Sequence, residues 1–486
     1  MACFLFVSYS GLLGGAERVL LDIASDVDGT ALIACPPGPL AEAARQAGVT
    51  AVELPVRDLR ARGGLRRAAT AMAALAGHGL DMRRLQRELD PSLVVAWGMR
   101  SGIGALALPP GFPFLFAHHD FLPSPGVAAV IRRVARRARA VVVPSEAVRF
   151  DLDPGRHLSD RIQVIPPGVD VDRFAAVEPA LDDQSVLLLG AVAPWKRPDL
   201  GLDIVALARQ ELPRVTLRIV GAPVTEDEPF LQELQQRAAS PELAPLVTLR
   251  GAVSDPRLEL EHAACLLHCA PAEPFGMVIV EALAAGLPVV VPDAAGPREI
   301  VDAECGELYS PGDAASAAQA LIRVLGDPGR ARAMGRAGRA RARARFTVTQ
   351  TRQRFADALS AAHRPPSLTP QSSPQEITLV TVSHNSSHEV RQLIACRDRY
   401  LPGTPMIIVD CASSDQSATV AEGRADIRMI ALDENIGFGR ACNRGLREVR
   451  TPVTALVNPD VELVDRSLLA LAHEALRDDR PERLLA

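Results

Sequence analysis

Short runs rich in Val, Ile and Leu alternate along this chain with stretches of helical periodicity, and this alternation constrains the fold more than any other feature. A first series of predicted strands covers Cys3–Val7, Ala31–Ala34, Leu93–Trp97, Phe114–His118 and Ala140–Pro144. A second series begins near Val186 and continues through Leu217–Val220, Val247–Arg250, Cys265–Cys269 and Pro288–Val291. Strands separated by helices form parallel sheets with helices on their faces. The sequence therefore predicts an α/β fold with two successive Rossmann-like layers.

Domain boundaries follow from where these series stop. The stretch 165–170 (IPPGVD) looks like a hinge between a first Rossmann-like domain, residues 1–175, and a second one, residues 176–363. Residues 364–376 are rich in Pro, Ser and Gln, which is typical of a linker. A further α/β unit begins at Ile377 and occupies residues 377–486. We therefore expect three α/β domains and one linker.

Composition excludes several classes of protein. The net charge of −5 gives no case for a nucleic-acid partner, and no apolar run reaches the length of a membrane span without Pro or charge. The amino terminus lacks a basic segment and predicts a first strand, so the expected compartment is the cytoplasm. The eight cysteines form no CxxC pair. Cys265 and Cys269 lie near His262 and His268, but this stretch predicts a buried strand better than a zinc site.

The single lysine of the chain, Lys196, stands among 52 arginines. It follows the apolar run 186–190 in the loop AVAPWKRP, and loops after strands of α/β sheets are where phosphates bind. A lysine brings a compact charge on a flexible stem rather than a planar fork. We therefore predict that Lys196 contacts a phosphate.

Two further segments favour the same kind of site. Gly14 and Gly15 follow the first predicted strand and open a helix, where glycines let the backbone approach a diphosphate. The segment 273–281 (EPFGMVIVE) places Glu273 in a loop, Gly276 at a helix start and Glu281 more than a turn into that helix. These carboxylates could accept hydrogen bonds from sugar and ribose hydroxyls, with phosphates between them at the helix start.

Together these motifs resemble those of family 4 glycosyltransferases, which have the two-domain GT-B fold. The resemblance covers residues 1 to about 362 and rests on GGAE at 14–17, HD at 119–120, VPSE at 143–146, residues 165–174, PWK at 194–196 and residues 273–281. It implies a retaining transfer from a nucleotide-diphosphate sugar without a metal or other cofactor. The implied catalytic residues are His119, Lys196 and Glu273. The implied donor-binding residues are Gly14, Gly15, Lys196, Arg197, Glu273, Phe275, Gly276, Met277 and Glu281.

One position departs from this pattern. The family usually has an arginine where this chain has Ala191, so the diphosphate would lose one of two cations. Arg197 is the candidate to compensate. His119, beside His118, is expected to border the donor sugar.

Two arginine-rich stretches of the first domain bear on membrane contact. Residues 127–138 form a predicted amphipathic helix whose polar face carries Arg132, Arg133, Arg136 and Arg137, and residues 57–67 add five arginines. Docking on an anionic membrane at the inner face and an ordinary arginine-rich surface both fit this pattern. A third stretch, residues 330–345, predicts a solvated helix face.

Residues 377–486 resemble the nucleotide-binding half of a family 2 glycosyltransferase of the rhamnosyltransferase-like kind, with the GT-A fold. The matching stretches are VSHN at 382–385, IVDCASSD at 408–415, NIGF at 435–438, ACN at 441–443 and VNPD at 457–460. By this resemblance Asp410, Asp415 and Asn443 would bind the nucleotide, and Asp460 would coordinate Mg²⁺ or Mn²⁺. Asn458 replaces the first carboxylate of the usual Asp-x-Asp. The chain ends 26 residues after Asp460, so we expect a partial GT-A domain that lacks a catalytic base.

The predicted function is a retaining glycosyltransferase that transfers a sugar to a cell-surface polysaccharide or lipid-linked acceptor. Its partners would be a nucleotide-diphosphate sugar, that acceptor and an anionic membrane, with no nucleic acid. Two alternatives stay open: a non-catalytic sugar-nucleotide-binding protein, which Ala191 favours, and a sugar-nucleotide 2-epimerase on the same scaffold. Donor base, sugar, acceptor and linkage depend on pocket shape and are not specified by these motifs.

Overall fold

The computed structural model describes residues 2–57, 65–223, 228–253, 255–363 and 376–463, with 468–469 and 471–472, except for the side chains of 65–69 and 228. The chain divides into two compact units, Met1–His363 and Arg364–Ala486. The arginine-rich stretch 57–67 and the linker 364–376 lie largely outside the described residues. None of the described helices is both long and apolar enough to cross a membrane.

The first unit begins with a parallel seven-stranded sheet in the order β3-β2-β1-β4-β5-β6-β7. The strand order reverses between β1 and β4, and ligands of open α/β sheets bind at such switch points. The elements are β1 (Cys3–Ser8), α1 (Gly15–Ala24), β2 (Thr30–Cys35), α2 (Pro39–Gln46), β3 (Thr50–Glu53), α3 (Leu65–Leu89), β4 (Leu93–Trp97), α4 (Gly98–Ala105), β5 (Phe114–Ala117), α5 (Pro125–Arg137), β6 (Ala140–Val143), α6 (Glu146–Leu152) and β7 (Ile162–Val164).

A second parallel sheet follows in the order β10-β9-β8-β11-β12-β13, and it reverses between β8 and β11. Both switch points place helix starts and strand ends at the carboxyl edge of a sheet. Its elements are α7 (Val171–Ala175), β8 (Ser185–Leu189), α8 (Pro198–Ala208), β9 (Thr216–Val220), α9 (Glu228–Ala238), β10 (Val247–Arg250), α10 (Arg257–Glu261), β11 (Cys265–Leu267), α11 (Met277–Ala284), β12 (Val289–Pro292), α12 (Ala295–Ile300), β13 (Gly306–Tyr309), α13 (Ala314–Leu325), α14 (Pro328–Arg345) and α15 (Val348–His363).

Helix α15 belongs to the range predicted for the second domain but packs against the first sheet. Its buried face, Phe355, Ala358, Leu359 and Ala362, joins the core that contains Phe4, Leu20 and Val142. This spacing puts apolar side chains on one stripe of a helix, and that stripe must be buried. The chain thus returns to the first sheet before the unit ends.

The second unit contains a parallel four-stranded sheet in the order β16-β15-β14-β17. Its elements are β14 (Ile377–Ser383), α16 (Ser387–Tyr400), β15 (Met406–Cys411), β16 (Ile427–Leu432), α17 (Phe438–Leu446) and β17 (Val453–Leu456). All three sheets are parallel and covered by helices, so the predicted fold class is confirmed. Three strands of the first unit went unpredicted, Thr50–Glu53, Ile162–Val164 and Gly306–Tyr309. They are sheet-edge strands of three or four residues, too short to show a period.

The arginine-rich helix α14 is more than a solvated face. A stripe of small and apolar side chains is buried, and Gly338 packs where a Cβ would lie 2.9 Å from Leu283 Cδ2. Arg339 donates to the carbonyl oxygens of Val177 and Ala285, and Arg341 donates to that of Ile300. Helix α14 thus has the predicted solvated face, and two of its arginines in addition satisfy backbone carbonyls of neighbouring elements.

The arginines of α5 also fall into two groups: some bind backbone carbonyls and others are exposed. Arg137 donates to the carbonyl oxygens of Ala105 (2.6 Å) and Leu108 (2.7 Å), and Arg132 donates to that of Leu152 (2.9 Å). Arg133 and Arg136 are exposed. Two of the four arginines predicted on this face thus bind backbone carbonyls of neighbouring segments and are not free to bind a partner.

Candidate active site

A cavity of about 430 Å³ lies in the cleft between the two sheets of the first unit. The loops that follow β5, β6, β8 and β11 line this cavity, together with the start of α1 and with α15. Its lining brings together most of the predicted site residues: Gly15, His119, Lys196, Glu273, Phe275, Gly276 and Met277. Three predicted donor-binding residues, Gly14, Arg197 and Glu281, do not line it.

The glycine loop ends in the first turn of α1. Gly14 has no side chain to cap this helix, and its amide donates to Glu17 Oε2 at 3.2 Å. The pKa of Glu17 is raised, chiefly by burial. A carboxylate from the helix itself thus occupies the positive end of α1 in this structure. Gly15 and Glu17 both face the cavity.

The lysine and the first glutamate of the 273–281 segment form an ion pair. Lys196 Nζ donates to Glu273 Oε2 and also lies 4.1 Å from the centre of the Trp195 ring. His268 Nε2 lies 3.3 Å from the same carboxylate oxygen. Burial raises the pKa of Glu273, but His268 and Lys196 outweigh burial and lower this pKa to about 2. Glu273 is therefore ionised at neutral pH and its charge is compensated from two sides.

Glycine is required where this segment turns into α11. Gly276 has φ of 112°, a left-handed conformation that side chains rarely adopt, and a Cβ there would lie 2.8 Å from Ile279 Cδ1. No side chain caps the helix, so its first amides stay available beside the cavity. Phe275 is buried in the core on one side of this turn, and Met277 faces the cavity on the other.

Glu281, in the second turn of α11, has a different environment from Glu273. Its carboxyl group has no hydrogen-bond donor among the described residues, and the charges that act on it are those of Arg18 and Arg173. Burial raises the pKa of Glu281 to about 7, and the two arginines only partly oppose this. The carboxyl group is therefore close to half protonated at neutral pH.

Arg197 does not take the place of the arginine missing at 191. Ala191 lines the cavity, whereas Arg197 Nε donates to both oxygens of Asp199, at 3.1 and 3.0 Å. Arg197 has a left-handed backbone (φ 54°) that turns the chain into α8. Among the described lining residues Lys196 is the one lysine or arginine, so no second cation compensates for Ala191 in this geometry.

The two histidines after β5 differ in exposure and surroundings. His118 is fully buried and stacks on Phe116, with ring centres 5.4 Å apart, and burial lowers its pKa to about 3. His119 lines the cavity and lies 4.5 Å from the Trp97 ring, and burial lowers its pKa to about 4. Nε2 of His119 has no partner among the described residues. His119 is thus a neutral imidazole that can hydrogen-bond a ligand.

In the second unit, the two predicted nucleotide-binding aspartates are already engaged. Asp410, buried at the end of β15, accepts hydrogen bonds from the hydroxyls of Ser383 (2.7 Å) and Ser413 (2.5 Å). Asp415 accepts from the amides of Ser387 (3.0 Å) and Ser417 (2.8 Å). The Ser417 hydroxyl, together with these amides, lowers the pKa of Asp415 to about 2. Both carboxylates therefore hold the loop 410–417 in shape.

The remaining predicted residues of this unit are exposed. Asn443 lies on α17, and Asp460 lies in the turn after β17. The described residues contain no group of three His, Cys, Asp or Glu side chains that could hold a metal ion. A bound diphosphate would have to supply further ligands if Mg²⁺ or Mn²⁺ bound at Asp460.

Comparison with known families matches this layout. Residues 13–173 match the model for glycosyltransferase family 4, residues 172–341 the model for glycosyl transferases group 1, and residues 378–480 the model for glycosyl transferase family 2. Two glycosyltransferase models thus cover residues 13–341, one for the part with the first sheet and one for the part with the second sheet. The predicted combination of a family 4 region with a family 2 segment is confirmed.

Individual relatives are more distant. The chain is 33% identical over 219 residues to the D-inositol 3-phosphate glycosyltransferase of Streptomyces scabiei. This aligned segment is 41% of this chain and 46% of that protein. The chain is 29% identical to the GDP-mannose-dependent alpha-(1-6)-phosphatidylinositol monomannoside mannosyltransferase of Mycolicibacterium smegmatis, over 43% of this chain and 59% of that one. The chain thus spans about half the length of the curated relatives it matches.

Solved structures cover the whole first unit. Anabaena HepE in complex with UDP-glucose superposes with a TM-score of 0.63 and 26% identity, covering 74% of this chain and 100% of that one. Sucrose-phosphate synthase of Thermosynechococcus elongatus, at 19% identity and a TM-score of 0.61, covers 74% of this chain and 98% of that one and shares the fold. The two matched glycosyltransferase models, over residues 13–341, and the two-sheet architecture thus lie in the same unit.

Several contacts around the cleft were not expected from the sequence. Thr351 and Phe355 line the cavity from α15, and Glu17 caps the glycine loop. Glu299 binds the amides of Glu146 (2.9 Å) and Ala147 (2.8 Å) across the cleft. The Glu three residues after Gly14 carries a recognisable capping signal, whereas the cross-cleft contacts have no local signature.

Proposed function

We propose that residues 1–363 form a retaining glycosyltransferase that transfers a sugar from a nucleotide-diphosphate donor. The observation that carries this proposal is the ion pair between Lys196 and Glu273. Both residues line the cavity, beside the start of α11, which no side chain caps. One cation and the positive end of one helix converge on a space where a diphosphate would develop charge as it leaves. This arrangement needs no metal ion.

The donor is a nucleotide sugar on the grounds of chemistry and of relatives. Anabaena HepE binds UDP-glucose, and the Mycolicibacterium smegmatis relative is named for GDP-mannose. In this chain Lys196 and the amides at Gly276 and Met277 would bind the diphosphate. Glu281 would accept hydrogen bonds from the ribose, and Glu273 from the sugar hydroxyls. The donor base and the sugar stay undefined.

His119 is the proposed catalytic partner on the opposite wall. Its neutral ring, held against Trp97, lines the cavity, and its Nε2 has no partner among the described residues. A neutral imidazole can accept a hydrogen bond from a sugar hydroxyl or donate one, according to its tautomer. Retention of configuration rests on the family 4 resemblance, and the structure contributes the two walls between which donor and acceptor would meet.

The acceptor is proposed to be a lipid-linked or cell-surface glycan precursor, met on the cytoplasmic face of the membrane. The two named relatives act on an inositol phosphate and on a phosphatidylinositol mannoside, which supports an acceptor with an anionic group. Arg133 and Arg136 on α5 offer exposed positive charge for peripheral membrane contact. The family 2 segment is proposed to bind a second nucleotide with Mg²⁺ or Mn²⁺ through Asp460 and Asn443.

Two other functions would use the same cleft. A protein that binds sugar nucleotides without transfer is favoured by Ala191, which leaves Lys196 as the one lysine or arginine of the described lining. A sugar-nucleotide 2-epimerase would share the scaffold but invert a centre of the sugar itself. The binding protein would form no product, and the epimerase would form a new sugar nucleotide rather than a glycosylated acceptor.

The test is a donor panel on the full chain. We would incubate it with UDP-, GDP-, dTDP- and ADP-sugars, with and without inositol phosphate and phosphoinositide acceptors, and follow nucleotide release and the sugar products by NMR. A transferase releases nucleotide from one donor class and forms an α-linked product from an α-linked donor. Binding without release of nucleotide would support the binding protein, and a new sugar nucleotide without acceptor would support the epimerase.

A further inference from the structure

His268 is buried beside Glu273, outside the motifs that carry the family resemblance. It follows β11, five residues before Glu273, and is 5% exposed. Its backbone is fixed on both sides, because its amide donates to Val290 O at 2.9 Å and its carbonyl accepts from Tyr309 Oη at 2.9 Å. The residue therefore has a defined position behind the cavity-lining Glu273.

The carboxylate of Glu273 lies close to this ring. Nε2 of His268 lies 3.3 Å from Glu273 Oε2 and has no other partner in the described residues. Buried polar nitrogens in folded proteins are almost always partnered. A small rotation of the glutamate would convert this close approach into a hydrogen bond with good geometry.

Lys196 uses the same carboxylate oxygen. In this structure its Nζ donates to Glu273, so Lys196 can bind a donor diphosphate only if this ion pair weakens. Glu273 is 7% exposed, and a buried carboxylate that loses its cation is costly to keep ionised. Binding of a donor would then push Glu273 towards its protonated form unless a second donor holds it.

We propose that His268 is a positioning residue that keeps Glu273 ionised and oriented while Lys196 is engaged by the donor diphosphate. The inference rests on the proposed function, because it presumes that a diphosphate draws Lys196 away. The Nε2–H tautomer of His268 donates to Glu273 Oε2, and the carboxylate turns its other oxygen to the sugar. His268 itself touches neither donor nor acceptor.

The charged and titratable groups that face Glu273 come from three elements. They are Lys196 from the loop after β8, His268 from the end of β11 and Asp120 from the loop after β5. Asp120 is a like charge and opposes ionisation of Glu273. Removing His268 would thus leave Lys196 alone against burial and Asp120.

The first test compares His268→Leu with His268→Gln in the full chain, using the donor that the panel identifies. Glutamine can donate to Glu273 and leucine cannot. We expect kcat/KM of His268→Leu, divided by that of the wild type, to fall as pH is lowered from 7 to 5, approaching tenfold per unit once Glu273 protonates. His268→Gln should restore a nearly flat ratio. The matched control is the exposed His262→Leu, for which the ratio should stay flat.

The second test does not need activity. A double-mutant cycle of His268→Leu and Glu273→Gln, read by urea unfolding at pH 7, measures coupling between the two side chains directly. We expect the effect of His268→Leu on the unfolding equilibrium constant to shrink about fivefold or more when Glu273 is already glutamine. A wild type without turnover but with this coupling would refute the proposed function, and with it the step in which a diphosphate draws Lys196 away, whereas the contact between His268 and Glu273 would stand. Additive effects together with a flat pH ratio would overturn the positioning role.

Discussion

At the residue scale, the two glutamates that flank the start of α11 have opposite acid–base properties. Lys196 and His268 lower the pKa of Glu273 to about 2, whereas burial without a close cation raises that of Glu281 to about 7. Sequence spacing predicted both carboxylates but not this difference, which depends on neighbours from distant segments. Carboxylates with separated pKa values can perform different tasks at one pH.

The first prediction concerns Glu281 and the pH dependence of nucleotide binding. An ionised carboxylate accepts ribose hydroxyls better than a protonated one, so binding should release a proton below the pKa of about 7. Affinity should therefore fall as the pH decreases, by about tenfold between pH 8 and pH 6. Calorimetry with the nucleoside diphosphate measures this slope. Glu281→Gln should bind weakly at both pH values, and a slope retained in that variant would assign the titration elsewhere.

A second prediction concerns Gly276. An alanine there would be held at a φ of 112° with its Cβ 2.8 Å from Ile279 Cδ1. We expect Gly276→Ala to cost about 1–3 kcal/mol of stability and to weaken donor binding, because the start of α11 must shift. The matched control is Gly312→Ala, which has a similar left-handed φ of 79° but open space around its Cβ. Equal donor affinity for the two variants would refute a role of this turn in the site.

One predicted donor-binding residue, Arg197, does not line the cavity in this structure. Arg197 is adjacent to Lys196 in sequence, but its left-handed backbone turns its side chain onto Asp199. A one-residue offset in a tight turn changes which way a side chain points, and no sequence pattern records this. Lys196, Glu273 and Gly276 were predictable because each needs a particular residue type at a strand or helix end.

At the scale of elements, helix α14 makes contacts that its composition does not predict. Its repeated arginines predicted a solvated face, yet Arg339 bridges the carbonyls of Val177 and Ala285 and packs against Gly286. Long cationic side chains satisfy helix-end and loop carbonyls from a distance, and these partners are far apart in sequence. Local periodicity could predict the helix but not its partners.

The corresponding prediction compares two arginines of α14. Arg339→Met removes donors from two carbonyls of the interior, and we expect it to destabilise the protein by about 1–3 kcal/mol in urea unfolding. Arg343→Met on the exposed face should stay within about 0.5 kcal/mol of the wild type. A similar effect of both substitutions would show that α14 is only a charged surface.

In the second unit, Asp410 and Asp415 were predicted at strand ends; Asp410 lies at the end of β15, whereas Asp415 lies in the loop that follows this strand. Their hydrogen bonds to Ser383, Ser413 and Ser417 organise the loop after β15. The sequence indicated carboxylates at a sheet edge but could not separate ligand binding from loop support, since both use the same acceptor oxygens.

At the scale of the whole first unit, two features join its sheets. Helix α15 returns to pack on the first sheet, and the start of α6 is held from across the cleft. Ser145 Oγ donates to Pro274 O at 2.6 Å, and Glu299 accepts from the amides of Glu146 and Ala147. Pro274 follows Glu273 directly, so these contacts fix the loop that carries the ion pair with Lys196.

The prediction at this scale is that Glu299→Gln loosens the closed cleft. A glutamine amide presents one acceptor oxygen where two backbone amides need acceptors, and its NH₂ group faces an amide donor. We expect a higher KM for the donor and a larger radius of gyration in small-angle scattering, with a smaller change when nucleotide is bound. Glu146→Gln is the control, because the Glu146 side chain pairs with Arg149 on its own helix. Unchanged scattering and KM in Glu299→Gln would exclude a role in closure.

The overall architecture was largely predictable, because long β-branched runs alternating with helices leave few topologies. The return of α15 and the cross-cleft contacts were not, since they join residues more than a hundred positions apart in sequence. These long-range contacts define the cleft in which the predicted residues meet.

The most direct test of the account compares Lys196→Ala with Arg197→Ala in turnover of the nucleotide sugar. The two cations are neighbours, but only Lys196 lines the cavity, while Arg197 pairs with Asp199. We predict that Lys196→Ala lowers kcat by about 100-fold or more, as loss of a charge that stabilises the leaving group does. Arg197→Ala should retain activity within a few-fold. Equal losses in both variants, or full activity of Lys196→Ala, would contradict the proposal that this cleft is the donor site.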